Sequence, residues 1–250
     1  MLVAFLCDLC RTLRLCVKKM PVNREAYLRI TEELRPKNVT LVAVSKTKSV
    51  EDIKALYDLG QRDFAENYVQ ELVNKQSQLP ADIRWHFIGH LQSNKVKNIA
   101  SFIQLIQSVD SLKLLEEINK QGEKHHRVID CLLQVHIAQE ETKFGLNEKE
   151  LAELFDQLTN QPINHVRVWW LMGMASFTSN MDKVRKEFQH LKKLFDRLPP
   201  DSYRDPDSSE GVLWDRLQTL SMGMSSDYKI AIEEGSTMVR IGSLLFGDRN

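Results

Sequence analysis

Eight times along this chain a short apolar run gives way to a stretch with helical spacing, and few architectures accept that rhythm. The runs fall at 40–45, 62–66, 84–88, 105–109, 130–137, 165–172, 217–221 and 238–241. Unbroken apolar stretches such as Leu41-Val42-Ala43-Val44 read as strands buried on both faces, as in a parallel sheet clothed by helices. The helical stretches carry their own punctuation. Arg24 to Leu34 keeps its spacing through Tyr27, Ile30 and Leu34 until Pro36 closes it. Ser49 caps a segment with Val50, Ile53, Leu56 and Tyr57 on one face, ended by Gly60. Val69, Leu72 and Val73 mark the next helix. Others are predicted at 91–100, after Ser111, at 147–159, at 181–198 and over Ser226 to Glu234. Alternation of this length predicts one α/β domain, a single (β/α)8 TIM-type barrel. A doubly wound open sheet is the alternative, because periodicity does not show closure. A polar stretch from Pro199 to about Arg216, rich in Pro, Asp and Ser, reads as a long loop.

Composition narrows the function. With 34 basic and 34 acidic residues the net charge is zero. That argues against a dedicated nucleic-acid binder, since phosphate contacts need a local basic excess. No apolar run approaches the length of a membrane span, so no membrane partner is expected. Cys7, Cys10, Cys16 and Cys131 match no disulfide framework. Cys7 and Cys10 form a lone C-x-x-C, a weak zinc signal without a second ligand pair, and no metal site is expected. Free thiols suit a reducing compartment, and the expected location is cytoplasmic. Residues 1–22 form an N-terminal extension ahead of a barrel domain at 23–250. The extension reads as an amphipathic helix rather than a signal peptide, because Asp8, Arg11 and Arg14 interrupt its apolar stretch.

A barrel of this kind places its chemistry at the C-terminal ends of its strands. Lys46 stands there on strand one, where partial desolvation favours a neutral amine able to form a Schiff base with an aldehyde. Its bland reading is a solvated lysine at a strand end. Strands seven and eight end in Ser221-Met222-Gly223-Met224-Ser225-Ser226-Asp227 and Arg240-Ile241-Gly242-Ser243. Met224, Ser225 and Ser226 can offer backbone amides to a phosphate at a helix start, Gly242 lets backbone approach closely, and Ser243 adds a hydroxyl. Ordinary capping by the serines is the alternative. Arg240, inside an otherwise apolar strand, needs acceptors, whether a barrel carboxylate or a ligand ring. Asn67, at the end of strand two, can orient the same ligand. His86 reads as a satisfied interior histidine, and His90 lies in a loop.

Five segments now carry a resemblance: VAVSKTK (43–48 as its shared core), ENYVQEL (66–72), WHFIGHLQSNK (85–95), LSMGMSSD (220–227) and STMVRIGSLLFG (236–247). In this order, over residues 24–247, they resemble the pyridoxal phosphate homeostasis protein family, also called the YggS or proline synthase co-transcribed family. The resemblance implies a barrel like the N-terminal domain of alanine racemase, binding pyridoxal 5′-phosphate. It puts the Schiff-base lysine on Lys46, phosphate turns on Ser225 and Gly242-Ser243, and the pyridine-nitrogen arginine on Arg240. Ala65 and Trp170 depart from the family, which usually has glycine at both positions, and Trp170 is expected either to crowd the barrel mouth or to change how strand six packs.

Two functions follow. The resemblance implies a carrier and buffer of pyridoxal phosphate in vitamin B6 homeostasis, without turnover, handing its cofactor to apo-enzymes that depend on it. The alternative is a pyridoxal phosphate-dependent amino-acid racemase. Enzymes resembling alanine racemase take a second base from a further C-terminal domain, and this chain runs only a short tail past strand eight. The carrier is therefore expected.

Overall fold

Each predicted strand is present in the structure, a computed structural model that describes residues 22–138, 144–160, 163–197 and 219–247. The strands are β1 (Thr40–Val44), β2 (Asp63–Glu66), β3 (Arg84–Phe87), β4 (Leu105–Val109), β5 (Ile129–Val135), β6 (Val166–Gly173), β7 (Thr219–Ser221) and β8 (Met238–Ile241). They pair in chain order and β8 pairs back onto β1, all parallel. The sheet is a closed barrel, and the open-sheet alternative falls away.

The helices on its outside are α1 (Arg24–Leu34), α2 (Val50–Asp58), α3 (Val69–Gln76), α4 (Leu112–Lys124), α5 (Glu148–Asn160), α6 (Met181–Arg197), α7 (Tyr228–Glu233) and α8 (Ser243–Phe246). Their starts follow local chemistry. Ser49 accepts the Asp52 amide while Asp52 accepts that of Ser49, a reciprocal cap on α2. One expectation needs correction. The stretch predicted as a helix at 91–100 is a shorter 3-10 helix, Ser93–Asn98, and the apolar residues Leu91, Ile99 and Ala100 that the prediction counted are buried in the core on either side of it. The short α8 carries no sequence signal of its own.

The apolar core has two layers. One lies between strands and helices, with Ile53, Leu56, Phe64, Leu115, Phe188 and Leu191 among its members. The other fills the barrel: Val42, Ala65, Leu105, Leu132, Met172 and Met238. Ala65 is therefore an interior residue, fully buried, and its methyl packs in that inner cluster. Trp170 pairs with Thr219 through its backbone; its side chain lies outside what the structure describes. So do residues 1–21, with Cys7, Cys10 and Cys16, and residues 198–218, on which the predicted loop from Pro199 to about Arg216 falls.

Candidate functional site

Alternation of side chains along a strand, with period two, fixes which residues face the barrel axis. On β8 it turns Met238 and Arg240 inward together, and past β2 it puts Asn67 on the face of Ala65. Lys46, Asn67, the 224–227 turn and Gly242-Ser243 all follow C-terminal strand ends, so they surround one mouth of the barrel. Because β1 lies between β8 and β2, Lys46 stands between the Gly242 turn and Asn67.

The turn that carries Lys46 is pinned from below. Fully buried Ser45 donates its amide to Ala65 O at 3.0 Å and its hydroxyl to Glu66 Oε1 at 2.6 Å. Lys75 on α3 donates to Ser45 O at 2.7 Å, to Glu66 Oε1 at 2.7 Å and to Glu71 Oε1 at 2.6 Å. Glu71 Oε1 also accepts the Thr47 amide at 2.6 Å. Thr47 has a φ of 64°, a left-handed conformation that a β-branched residue adopts only under constraint. Lys46, half-buried, is thus presented by a turn fixed on both sides. Burial pushes the Glu66 carboxyl upward, against the opposing pull of Lys75 and Ser45.

Sequence reasoning did not find Lys75. Its only signal, Glu71 four residues earlier, is the commonest surface pattern of a helix. Truncating Lys75 to methionine leaves Glu66 buried without its cation and is expected to cost about 3–5 kcal/mol. Denaturant midpoints check this, with partial recovery expected in a Lys75→Met, Glu66→Gln double variant.

Arg240 is buried, and its partners are not the carboxylate that the sequence allowed for. Nη1 donates to Ser221 O at 2.9 Å and to Ser221 Oγ at 2.6 Å; Nη2 donates to Gly173 O at 3.0 Å. A guanidinium has five N–H donors. One Nη2–H and the Nε–H therefore have no partner among the described residues. Burial lowers the group to about 10, with the Asp227 charge opposing, so it remains a cation at neutral pH.

At the other side of the mouth, the Met224 amide is already used: it donates to Asp227 Oδ1 at 2.6 Å. The amides of Ser225, Ser226 and Ser243 donate to nothing among the described residues. Ser225 Oγ instead accepts the Gly242 amide at 3.2 Å, tying the two turns together. Gly223, at φ 95°, would place a Cβ only 2.6 Å from Ala231 Cβ, so α7 packs onto this turn because no side chain intervenes. A Cβ on Gly242 would lie 3.2 Å from Val44 O, the close approach anticipated there. Across the mouth, Asn67 Oδ1 is a buried acceptor with no hydrogen-bond donor among the described residues. Gly89 lets the Asn67 backbone come that near, since a Cβ on it would sit 2.1 Å from Asn67 O.

His86 is interior, with Nδ1 2.9 Å from Gln107 Nε2 and Nε2 3.3 Å from Asp63 Oδ1. His90 is at the rim, against Asp110 and stacked on Phe144. Among the described residues no cluster of His, Cys, Asp or Glu is placed to hold a metal. Burial alone would raise the Asp63 carboxyl, but bonds from Arg84 and His86 outweigh it and hold the group down at about 2. The unfolded chain therefore takes up the proton first as pH falls. The stabilisation is complete above about pH 4 and is lost on the way down to about pH 2, a change of about 2 kcal/mol. Asp63→Asn is expected to flatten the acid limb of urea midpoint against pH in that window; unchanged acid limbs would contradict it.

A family profile described as "Alanine racemase, N-terminal domain" matches residues 24–250. The "Pyridoxal phosphate homeostasis protein" of Aquifex aeolicus (strain VF5) is 41% identical over 210 residues, covering 84% of this chain and 86% of that protein. Its namesake in Schizosaccharomyces pombe is 39% identical over 223 residues, covering 88% of both chains. Among solved structures, PipY of Synechococcus elongatus PCC7942 without PLP superposes with a TM-score of 0.79 at 32% identity, covering 89% of this chain and 99% of that one. The PipY structure with PLP bound superposes at 0.76. Alanine racemase from Bartonella henselae, at 16% identity and a TM-score of 0.64, shares the fold. Relatives and solved structures thus match this chain over most of its length, and the chain belongs to the pyridoxal phosphate homeostasis protein family.

Proposed function

We propose that this protein binds pyridoxal 5′-phosphate at the barrel mouth and carries and buffers it for vitamin B6 homeostasis, without catalytic turnover. The observation that carries the reading is buried Arg240, with two N–H donors uncommitted among the described residues at a mouth that also bears a half-buried lysine. The rest of the mouth fits the same group. Lys46 holds the aldehyde, the amides of Ser225, Ser226 and Ser243 hold the phosphate, and Asn67 Oδ1 offers a buried acceptor to the ring's polar edge. Met224 shapes this turn through the bond from its amide to Asp227, while Gly242 keeps the approach open. When bound, the cofactor supplies an aldehyde and an electron-withdrawing ring.

Arginine can only donate, so Arg240 favours an unprotonated ring nitrogen and a weaker electron sink, which suits holding better than turnover. His86 has both ring nitrogens engaged and is not available as a second base. The relatives above are named as homeostasis proteins. The racemase alternative rests on fold likeness alone. The reading includes a cytoplasmic location, since Cys131 is a free buried thiol and no disulfide framework is present in the sequence. No helix among the described residues is long and apolar enough to cross a membrane. The partners are pyridoxal phosphate itself and the apo-enzymes that receive it.

The test is α-proton exchange of L-alanine in deuterated water at high concentrations of loaded protein, beside transfer of cofactor to an apo-enzyme. Transfer without exchange is expected. Rapid exchange with racemisation, abolished by Lys46→Ala, would make the protein an enzyme.

A further inference from the structure

Across the barrel interior runs a line of polar side chains that the site at the mouth does not by itself require. From Arg240 on β8, Nη1 donates to Ser221 Oγ on β7 at 2.6 Å. Ser221 Oγ donates to Gln107 Oε1 on β4 at 2.7 Å. Gln107 Nε2 lies 2.9 Å from His86 Nδ1 on β3 and 3.3 Å from Met238 Sδ. His86 Nε2 lies 3.3 Å from Asp63 Oδ1 on β2. Ser221 and Gln107 are completely buried, and Arg240 and His86 are 3% exposed. Polar groups in so dry an interior are costly unless every one is satisfied. A barrel needing only stability fills with apolar residues, as the surrounding Val42, Leu105, Leu132 and Met172 do.

The two ends of this line have fixed roles. A guanidinium only donates, and an ionised carboxylate only accepts. With Gln107 Oε1 turned to Ser221 and Nε2 to His86, as in the structure, one distribution of protons satisfies every contact. Ser221 accepts from Arg240 and passes its own proton toward Gln107. Gln107 then offers its amide hydrogens to His86 Nδ1, and His86 carries its single proton on Nε2, directed at Asp63.

We propose that Ser221, Gln107 and His86 form a one-directional hydrogen-bond chain that positions Arg240, with Gln107 as the member that fixes its sense. The proposal rests on the reading of Arg240 as the residue facing the cofactor ring. None of the three touches the cofactor; they are positioning residues. Held at Nη1 by a hydroxyl whose own proton is committed, the guanidinium cannot swing, and its uncommitted donors keep one direction. Gln107→Leu frees the Ser221 hydroxyl to turn and so loosens Nη1, leaving the arginine held only by the carbonyls of Ser221 and Gly173. Gln107→Glu keeps the acceptor for Ser221 but has no hydrogen to offer, so His86 must take up a second proton, on Nδ1, while its Nε2–H still faces Asp63.

The experiment combines ¹⁵N-histidine NMR with cofactor titration followed by absorbance. In the wild type, His86 is expected to show an unprotonated Nδ1 and a protonated Nε2, with or without cofactor; a proton on Nδ1 overturns the chain. Gln107→Leu is expected to weaken pyridoxal phosphate binding about tenfold, the factor for one hydrogen bond of this kind, and to shift the absorption band of the bound cofactor. Gln107→Glu is expected to place a proton on His86 Nδ1 while keeping the wild-type band. An unaltered band and affinity in Gln107→Leu overturn the positioning role. If that variant does not fold, Ser221→Ala, which deletes only the bridging hydroxyl, is judged by the same two readouts. A wild type that binds no cofactor sinks the site assignment instead, and the tautomer of His86 still decides the chain.

Discussion

Borohydride reduction of the loaded protein is expected to fix the cofactor on the peptide containing Lys46, and Lys46→Ala to abolish the adduct. The expectation comes from how the lysine is held rather than from its presence alone. Its turn is fixed by Ser45 on one side and by Thr47, through Glu71 and Lys75, on the other. A nucleophile presented by a rigid turn loses little freedom when it forms a bond, which is where positioned groups gain most. Lys48 is the natural competitor, and the structure gives it other work: its ammonium donates to Phe246 O at 3.2 Å and to Gly247 O at 3.3 Å. An amine whose hydrogens are committed to two carbonyls is a poor nucleophile. The Lys46→Ala protein should still bind the cofactor reversibly through Arg240 and the open amides, but lose it entirely on gel filtration. An adduct on Lys48, or undiminished labelling of the variant, would overturn the assignment.

Pyridoxal lacking its phosphate is expected to bind at least two orders of magnitude more weakly than pyridoxal 5′-phosphate. The turns that would hold the phosphate lead into helices of six and four residues, too short to sum much of a macrodipole. The work therefore falls on individual donors, the amides of Ser225, Ser226 and Ser243. A hydrogen bond to a charged group contributes roughly 1.5–3 kcal/mol. Losing two of them costs roughly 3–6 kcal/mol, a factor of about 10² to 10⁴ in affinity. Competition of the two aldehydes for wild-type protein gives the ratio directly. Near-equal affinities would mean that the 224–227 and 242–243 turns are caps and nothing more.

The sequence reads well where one physical signal dominates. Met238 to Ile241 is recovered to the residue, because an apolar run between Thr237 and Gly242 leaves no other register. Lys46, Asn67, Ser225, Arg240, Gly242 and Ser243 can be placed on strand ends once the alternation is counted, since that position follows from the fold class. What the sequence hides are contacts between distant elements. Gln107 looks like an exception inside Leu105-Ile106-Gln107-Ser108-Val109, and its partner Ser221 lies 114 positions away. Arg240 announces a need for acceptors but not that Ser221 and Gly173 meet it. The Met224 amide looks open until Asp227 is seen to fold back onto it.

The seam between β1 and β8 has a consequence for how the molecule is made. Lys48 reaches from the β1 side to the last turn of α8, Thr40 N donates to Thr237 O at 2.9 Å, and the Gly242 turn abuts Val44. The groups around the mouth come from both edges of this seam, so no partly synthesised barrel possesses the site. Loop closure between such distant segments is slow and comes late in folding. A ligand that recognises only the closed ring then acts as its fastener. It suppresses seam opening by the factor 1 + [ligand]/Kd, so supply of the vitamin governs how long the carrier itself survives proteolysis.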